Sequence, residues 1–323
     1  MAERIAVLGA AGYAGAVAAR LLHRHPRFEL AHVTARSDAG ARLDAIHPRT
    51  RVPLVLEAYD PDRHADVDAA VVAYPHGASA LVVAQLRERG VRVVDLSADF
   101  RLHDRPTYEA WYGEHGAPGL LGDAVYGLPE LHRDAIAGAE LVANPGCYPT
   151  AAILALAPLA RVGLLEDVVI DAKSGVSGAG REPSHGKHFV TVDETVTPYK
   201  VGAHRHTPEI EQELGGVPVT FTPHLVPVAH GELVSCYVKD VDADVSALYE
   251  EAYGDEPWVE VVDGPPGMQE VRETNYCRIS IHRTPHRLIV FATIDNLWKG
   301  TSSQAIQNLN LMFGVDESEG LAA

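Results

Sequence analysis

The sequence predicts an α/β protein in two parts, a doubly wound parallel-sheet domain followed by an α+β domain. Three observations carry that prediction. Short apolar runs alternate with helical stretches over the first hundred residues, a glycine-rich turn joins the first strand to the first helix, and from Val217 onward the chain is strand-rich. A length of 323 residues suits about two domains, each able to bury its own core.

The elements follow in order. Ile5 to Leu8 is a short apolar run of strand character, Gly9, Gly12 and Gly15 come next, and Ala14 to Arg24 reads as an Ala/Leu-rich helix. Strands are expected at Phe28 to Thr34, Asp68 to Tyr74 and Val91 to Leu96, with a helix at Ser79 to Arg89. After Asn144-Pro145-Gly146 the character changes. Pro149 to Leu159 reads as a helix and Val168 to Ala172 as a buried strand, and Ser174 to His206 is a long Gly-, His- and Ser-rich stretch without periodicity, of a length that in compact domains signals function. Thr207-Pro208-Glu209 opens a helix, with Thr as cap, Pro at the first position and Glu favoured by the dipole. Strands are expected at Val217 to Thr222, Leu233 to Val238, Trp258 to Val262, Arg278 to His282 and Leu288 to Ile294, and helices at Val245 to Tyr253 and Ser302 to Met312.

Composition excludes several classes. With 46% hydrophobic and 22% charged residues the chain is an ordinary globular one, not disordered, collagen-like or a solenoid. A net charge of −17, with no Lys/Arg run longer than two, repels phosphate backbones and anionic lipid, so neither nucleic acid nor a membrane is expected as a partner. Cys147, Cys236 and Cys277 are too few and too scattered for a disulfide framework, which points to a reducing compartment, the cytoplasm. The uncharged run from Ile5 to Ala19 imitates a signal-peptide core, but it is too short to span a bilayer and carries three regularly spaced glycines.

Those glycines suit a dinucleotide. Gly9-x-x-Gly12-x-x-Gly15 follows a strand and opens a helix, where backbone N–H groups and the helix N-terminus can hold a pyrophosphate. The plain alternative is tight strand–helix packing. At the end of the second strand an NAD site would place an acidic residue, whereas this chain has Thr34-Ala35-Arg36-Ser37, and Arg36 with Ser37 suits the 2′-phosphate of NADP. Cys147 stands at a Pro/Gly turn leading into a helix, whose N-terminus favours a thiolate; Cys236 and Cys277 lie inside apparent strands and read as inert core residues.

The motifs together resemble the N-acetyl-γ-glutamyl-phosphate reductase family, which is related to the aspartate-semialdehyde dehydrogenases. They are the Gly-Ala-Ala-Gly-Tyr-Ala-Gly loop with Tyr13, Asp95-Leu96-Ser97-Ala98-Asp99-Phe100-Arg101, Asn144-Pro145-Gly146-Cys147-Tyr148-Pro149-Thr150, Ser174 to Arg181, Ala203-His204-Arg205-His206-Thr207-Pro208-Glu209, and Asp295-Asn296-Leu297-Trp298-Lys299-Gly300 running into Gln307 to Gly314. The resemblance spans nearly the whole chain. One departure is His230-Gly231 after His224-Leu225-Val226-Pro227, where the family usually has Arg-Gly.

The resemblance implies a Rossmann NADP domain over 1–146, a catalytic and oligomerisation domain over 147–300, a C-terminal helix over 301–323 packing on the first domain, and a homo-oligomer, dimer or tetramer. With the boundary just before Cys147, the active site is expected between the domains. The implied reaction reduces an acyl phosphate: Cys147 displaces phosphate, NADPH reduces the thioester, and an acid/base completes the cycle. His206 is the first choice for that acid/base, with His204 and His224 as fallbacks. Arg101, assisted by Asn144, is expected at the phosphate, Arg181 and Arg205 at the substrate carboxylate, and Ser177, Gly178 and Asn296 at the nicotinamide, beside the loop residues Gly9, Gly12, Tyr13 and Gly15. The pairs His185/His188 and His204/His206 have ligand-like spacing, but no complete metal signature follows, and no metal is expected. Alternatives are reduction of aspartyl phosphate or of a carrier-protein-linked aminoadipyl phosphate, and a non-catalytic NADP-binding sensor. An acidic carrier would be repelled by this chain, and the presence of Cys147 and His206 argues against a sensor.

Overall fold

A computed structural model describes residues 2–321, which form two units of chain: one runs up to Pro145 and resumes at Thr301, and the other is Gly146–Gly300. The first unit contains β1 (Glu3–Leu8), α1 (Tyr13–His23), β2 (Phe28–Thr34), a one-turn α2 (Leu43–Ile46), β3 (Ala69–Val72), α3 (Ala80–Glu88), β4 (Arg92–Asp95), α4 (Arg105–Tyr112), β5 (Val125–Tyr126), α5 (Pro129–Ile136) and β6 (Leu141–Ala143). Its six-stranded sheet is parallel throughout, in the order β2-β1-β3-β4-β6-β5. β3 and β6 are buried along their whole length, as expected where helices cover both faces. The chain leaves β1 toward β2 on one side and then crosses to β3 on the other, so a switch point opens at the C-terminal end of β1, where ligands bind in such sheets.

Besides the one-turn α2, two longer helices of this unit, α4 and α5, were not anticipated. α4 is polar, burying only Tyr108, and owes its start to Asp104, whose carboxylate accepts from Thr107 N at 2.9 Å. α5 begins on Pro129 and is interrupted at His132, which blurs its periodicity. The Asp95 to Arg101 motif is largely architectural. Asp99 accepts from the backbone N–H groups of Gly77, Ser79 and Ala80, which closes the open end of α3, while buried Asp95 accepts from the hydroxyls of Ser79 and Ser97 at 2.6 Å each. Burial nevertheless pushes the Asp95 carboxyl up to about 6.

The second unit starts with α6 (Cys147–Arg161) and continues through β7 (Val168–Gly175), a one-turn α7 (Phe189–Val192), β8 (Thr197–Pro198), α8 (Thr207–Glu213), β9 (Val219–Val226), β10 (Glu232–Lys239), α9 (Val245–Tyr253), β11 (Val259–Val261), β12 (Cys277–Arg283) and β13 (Arg287–Ile294). Its mixed seven-stranded sheet has the order β11-β12-β13-β10-β7-β9-β8. α6 is apolar nearly all round and packs on β10 and β13. Pro158 lies inside it and has no N–H for the carbonyl of Leu154. The Tyr253 hydroxyl of α9 donates to that carbonyl at 2.6 Å, and Tyr249 donates to Ala155. The expected long loop is only partly irregular: 3₁₀ turns at Val176–Ala179 and His185–Lys187 interrupt it, and Phe189, Val190, Val196 and Val201 are exposed along it.

The chain then returns to the first unit as α10 (Ser303–Met312), which packs on α1 and α5. Asn308 donates from Nδ2 to the Gly127 carbonyl (2.9 Å) and to Asn144 Oδ1 (3.0 Å), and Ser302 Oγ donates to Ala14 O. No helix among the described residues is long and apolar enough to cross a membrane.

Candidate active site

The glycine turn separates into distinct roles. Gly9 has φ +87°, and a Cβ on it would lie 2.6 Å from the Ala73 carbonyl oxygen. A Cβ on Gly15 would lie 2.4 Å from Gly9 O, so this position is glycine because α1 presses on the turn. Packing accounts for both. Gly12 is different: as N-cap of α1 it has an ordinary φ of −75° and only a 3.5 Å contact for a Cβ. Its openness is what a pyrophosphate at the helix N-terminus requires. Tyr13 opens α1 and packs edge-on against His47, whose Nε2 donates to Ala11 O at 2.8 Å.

A cavity of about 310 Å³ adjoins this turn, lined by Ala35, Arg36, Ala58, Tyr59, Tyr74, Ala78 and Val82. Two tyrosine faces and small apolar side chains suit an adenine, and Arg36 is the cation at its rim. Burial pushes Tyr59 up to about 12 and raises Tyr74, so both phenols stay neutral. The Ser37 hydroxyl donates to Asp38 (3.2 Å).

His64, whose ring lies 5.8 Å from that of Tyr59, joins His32 and Glu57 in bringing their ligating atoms within 4.8 Å of one another, a grouping the sequence spacing did not suggest. Hydrogen bonds account for buried His64: its Nδ1 accepts from Asp60 N (3.0 Å) and its Nε2 donates to Glu57 (2.9 Å).

The nucleophile turn lies at the start of the second unit. Cys147 is the first residue of α6, two positions earlier than expected, with Gly146 as N-cap in an extended conformation. The placement puts the sulfur at the positive end of a fifteen-residue helix. Cys236 and Cys277 are fully buried strand residues, and burial pushes the Cys236 thiol far up, as its inert reading demands. Buried Glu209 of α8 accepts from Gly146 N at 2.9 Å and so fixes the backbone immediately before the sulfur. Gly300 has the same kind of reason to be glycine: a Cβ there would lie 2.8 Å from Cys147 Cβ.

The histidines separate by environment. His204 is buried among Tyr148, Tyr199 and Phe221, and its Nδ1 accepts from His206 N at 3.2 Å. His206, the N-cap of α8, is only partly buried and sits 5.9 Å from the Tyr148 ring, the residue next to the nucleophile. His224 must be corrected. It is paired in register with Lys173, and both point away from the face on which Ala172, Ser174, Pro223 and Leu225 approach α6. On that far face its Nδ1 meets Asp171 Oδ1 and Ala172 O, each at 3.1 Å, so it is not an acid/base for Cys147.

Ser177, Gly178 and Asn296 do come together. Asn296 donates to Ser177 Oγ (3.0 Å) and accepts from Gly231 N (2.9 Å), and a Cβ on Gly178 would crowd Ser174 and Asn296. Arg101 is buried in the first unit, donating from Nε to Asn144 O and from Nη2 to Leu96 O, both at 2.8 Å. Asn144, expected to assist at the phosphate, donates from Nδ2 to Thr301 O and accepts at Oδ1 from Asn308, which ties it to the returning helix. Arg181 is half-buried on the loop and Arg205 exposed. His230 lies 3.5 Å from buried Asp295.

A parallel sheet with a glycine turn at its switch point, joined to a mixed-sheet unit that opens on a cysteine at the first position of a helix, is the arrangement of a semialdehyde dehydrogenase. Residues 4–139 match the family described as semialdehyde dehydrogenase, NAD binding domain, and residues 147–296 the semialdehyde dehydrogenase dimerisation domain. Solved aspartate-semialdehyde dehydrogenases share the fold: enzyme II from Vibrio cholerae has a TM-score of 0.74 at 16% identity, covering 97% of this chain and 99% of that one. The Candida albicans enzyme, solved with NADP, has a TM-score of 0.73 at 15% identity over 97% and 99%.

Among curated relatives, a Dehalococcoides mccartyi protein named N-acetyl-gamma-glutamyl-phosphate reductase is 48% identical over 98% of this chain and 96% of its own length. A Rhodopirellula baltica protein of the same name is 45% identical over 98% of each. The chain belongs to the N-acetyl-gamma-glutamyl-phosphate reductase family of the semialdehyde dehydrogenases.

Proposed function

We propose that the protein reduces N-acetyl-γ-glutamyl phosphate to N-acetylglutamate semialdehyde, releasing phosphate, through a thioester on Cys147. The observation that carries this reading is Cys147 at the N-terminus of α6 with its turn held by Glu209, in a chain nearly half identical to reductases of that name. The Cys147 thiolate attacks the acyl carbon; the carbon–oxygen bond to phosphate breaks, and phosphate leaves with the electron pair. The open turn at Gly12 and the Arg36 guanidinium would hold NADPH, which would supply hydride for reduction of the thioester. His206 takes the thiol proton, gives it to the hemithioacetal oxygen, and takes it back as the carbonyl re-forms; the carbon–sulfur bond then breaks with its electron pair left on the Cys147 sulfur, and the aldehyde departs. Arg101 steadies the Asn144 backbone leading into Cys147 and remains the candidate for the phosphoryl group, with Arg181 and Arg205 for the substrate carboxylate.

We infer a homo-oligomer formed through the second unit. Supporting this are the match to a dimerisation domain and the sheet face away from α6, where Val169, Leu233, Tyr237, Ile289 and Phe291 are only half-buried. All three cysteines are thiols, which suits a reducing compartment.

The test is phosphate-dependent NADP reduction, with N-acetylglutamate semialdehyde set against aspartate semialdehyde. The acetylated substrate is expected to win by about a hundred-fold or more in kcat/KM. Preference for aspartate semialdehyde would overturn the substrate assignment.

A further inference from the structure

We propose that Glu232 is a catalytic residue that works as a neutral carboxylic acid, donating a hydrogen bond from its O–H to the sulfur of Cys147. The inference rests on the thioester reading of the site and concerns how its nucleophile is stabilised.

Glu232 opens β10, paired with Ser174 of β7 on one side and Ile294 of β13 on the other. Strand alternation puts it on the face that carries Val234, Cys236 and Val238 against α6, the helix whose first residue is Cys147. It is fully buried, and neither carboxyl oxygen makes a hydrogen bond of good geometry. The other acidic side chains nearby are provided for: Glu209 accepts from Gly146 N, and Asp295 accepts from Leu297 N at 2.8 Å and Glu273 N at 2.9 Å. An orphaned buried carboxyl is costly, and a strand position facing α6 is served better by an apolar side chain. What lies beside it gives it a use. The Cys147 thiol and the Ser174 hydroxyl stand beside it as potential hydrogen-bond partners.

Charge decides which form is present. Burial, reinforced by the Asp295 carboxylate, pushes Glu232 up to about 8, against the downward pull of Cys147 and Ser174 as donors. The titratable groups facing it are Cys147 and Tyr148 from α6, Tyr199 before α8 and Asp295 after β13. Both tyrosines are raised by burial and add no charge. At neutral pH the carboxyl therefore keeps its proton. Loss of the Cys147 proton then leaves a sulfur anion beside an O–H donor, which is favourable. Above about pH 8 the same loss would set two anions side by side, so ionisation of Glu232 opposes ionisation of Cys147. Glu232 keeps its proton throughout turnover, and the proton taken from Cys147 goes elsewhere.

Alkylation of Cys147 by iodoacetamide tests this on the full-length chain, read by mass spectrometry from pH 5.5 to 10 in the wild type, Glu232→Gln and Glu232→Met. Gln keeps a donor that does not titrate; Met keeps the volume without a donor. Wild-type reactivity is expected to rise with pH along a curve that bends to a shallower slope above about 8. E232Q should lose the bend and stay within roughly three-fold of wild type at pH 7, while E232M should fall roughly ten-fold there. Superimposable profiles for wild type and E232Q, or an E232M as reactive as wild type at pH 7, would overturn the proposal. The wild-type profile alone tests the bend if a variant does not fold. Alkylation needs neither acyl phosphate nor NADPH, so its outcome is independent of whether the substrate assignment holds.

Discussion

Two turns of this protein share one construction and do different work. At Gly9 to Tyr13 and at Asn144 to Cys147 a buried strand ends, the chain turns through glycine, and a helix begins on an extended glycine N-cap with no side chain capping it. Each leaves a positive helix end without its own anionic cap. In the first, the turn is braced from behind: Gly9 N and Ala10 N both donate to Thr34 O, Gly15 lets α1 press close, and Gly12 stays open. In the second, the bracing comes from a charged side chain, Glu209, and the first helical position holds a sulfur. The difference teaches that a helix N-terminus becomes a ligand site or a nucleophile site according to what stands at its first positions and what holds the turn behind it.

The comparison breaks most sharply at the sulfur. Cys147→Ser keeps the turn, the helix and the volume, yet removes a nucleophile that ionises readily. It should lose on the order of a thousand-fold or more in kcat, while NADPH titration by fluorescence shows an unchanged Kd. Residual turnover within ten-fold of wild type would sink the thioester route.

A second pair of variants separates bracing from binding within the first turn. Gly15→Ala drives a methyl into Gly9 O, and thermal unfolding should fall by roughly 4–10 °C. Gly12→Ala meets only an ordinary contact, so its Tm should stay within about 2 °C of wild type while NADPH binding weakens roughly ten-fold. If Gly12→Ala destabilises as much as Gly15→Ala, the turn is packing alone.

What was legible in the sequence tracks how local the cause is. The glycine turn, a helix opening at Thr207-Pro208-Glu209 and a cysteine at a helix start depend on neighbours a few residues away, and the structure has all three, although His206 and not Thr207 is the N-cap and α6 starts two residues before the expected Pro149. Helix Val245–Tyr253 matches the expected bounds, and strand Phe28–Thr34 does too. His224 was misjudged because the strand was ended at Thr222; it runs on to Val226, and only within a strand does alternation assign His224 to the far face. Glu232 was passed over because an acid just before an apolar run reads as a solvated strand end. Its burial comes from pairing with Ser174 and Ile294, each roughly sixty residues away in sequence. Asn144 shows pairing at longer range: its partner Asn308 lies 164 residues further on, and nothing local announces that contact.

The smallest effect tests the brace of the second turn. Glu209→Ala leaves the Gly146 N–H without its carboxylate acceptor in a buried place, a loss of about 1–3 kcal/mol in stability. Because the sulfur follows at once in the chain, its aim should loosen as well, and kcat should fall on the order of ten-fold with little change in KM. Glu209→Gln keeps an oxygen acceptor at the same place and should recover most of both losses in urea unfolding and steady-state kinetics. If Gln restores stability but not kcat, the negative charge of Glu209 acts on the chemistry directly. The two turns would then differ in electrostatics as well as in what holds them.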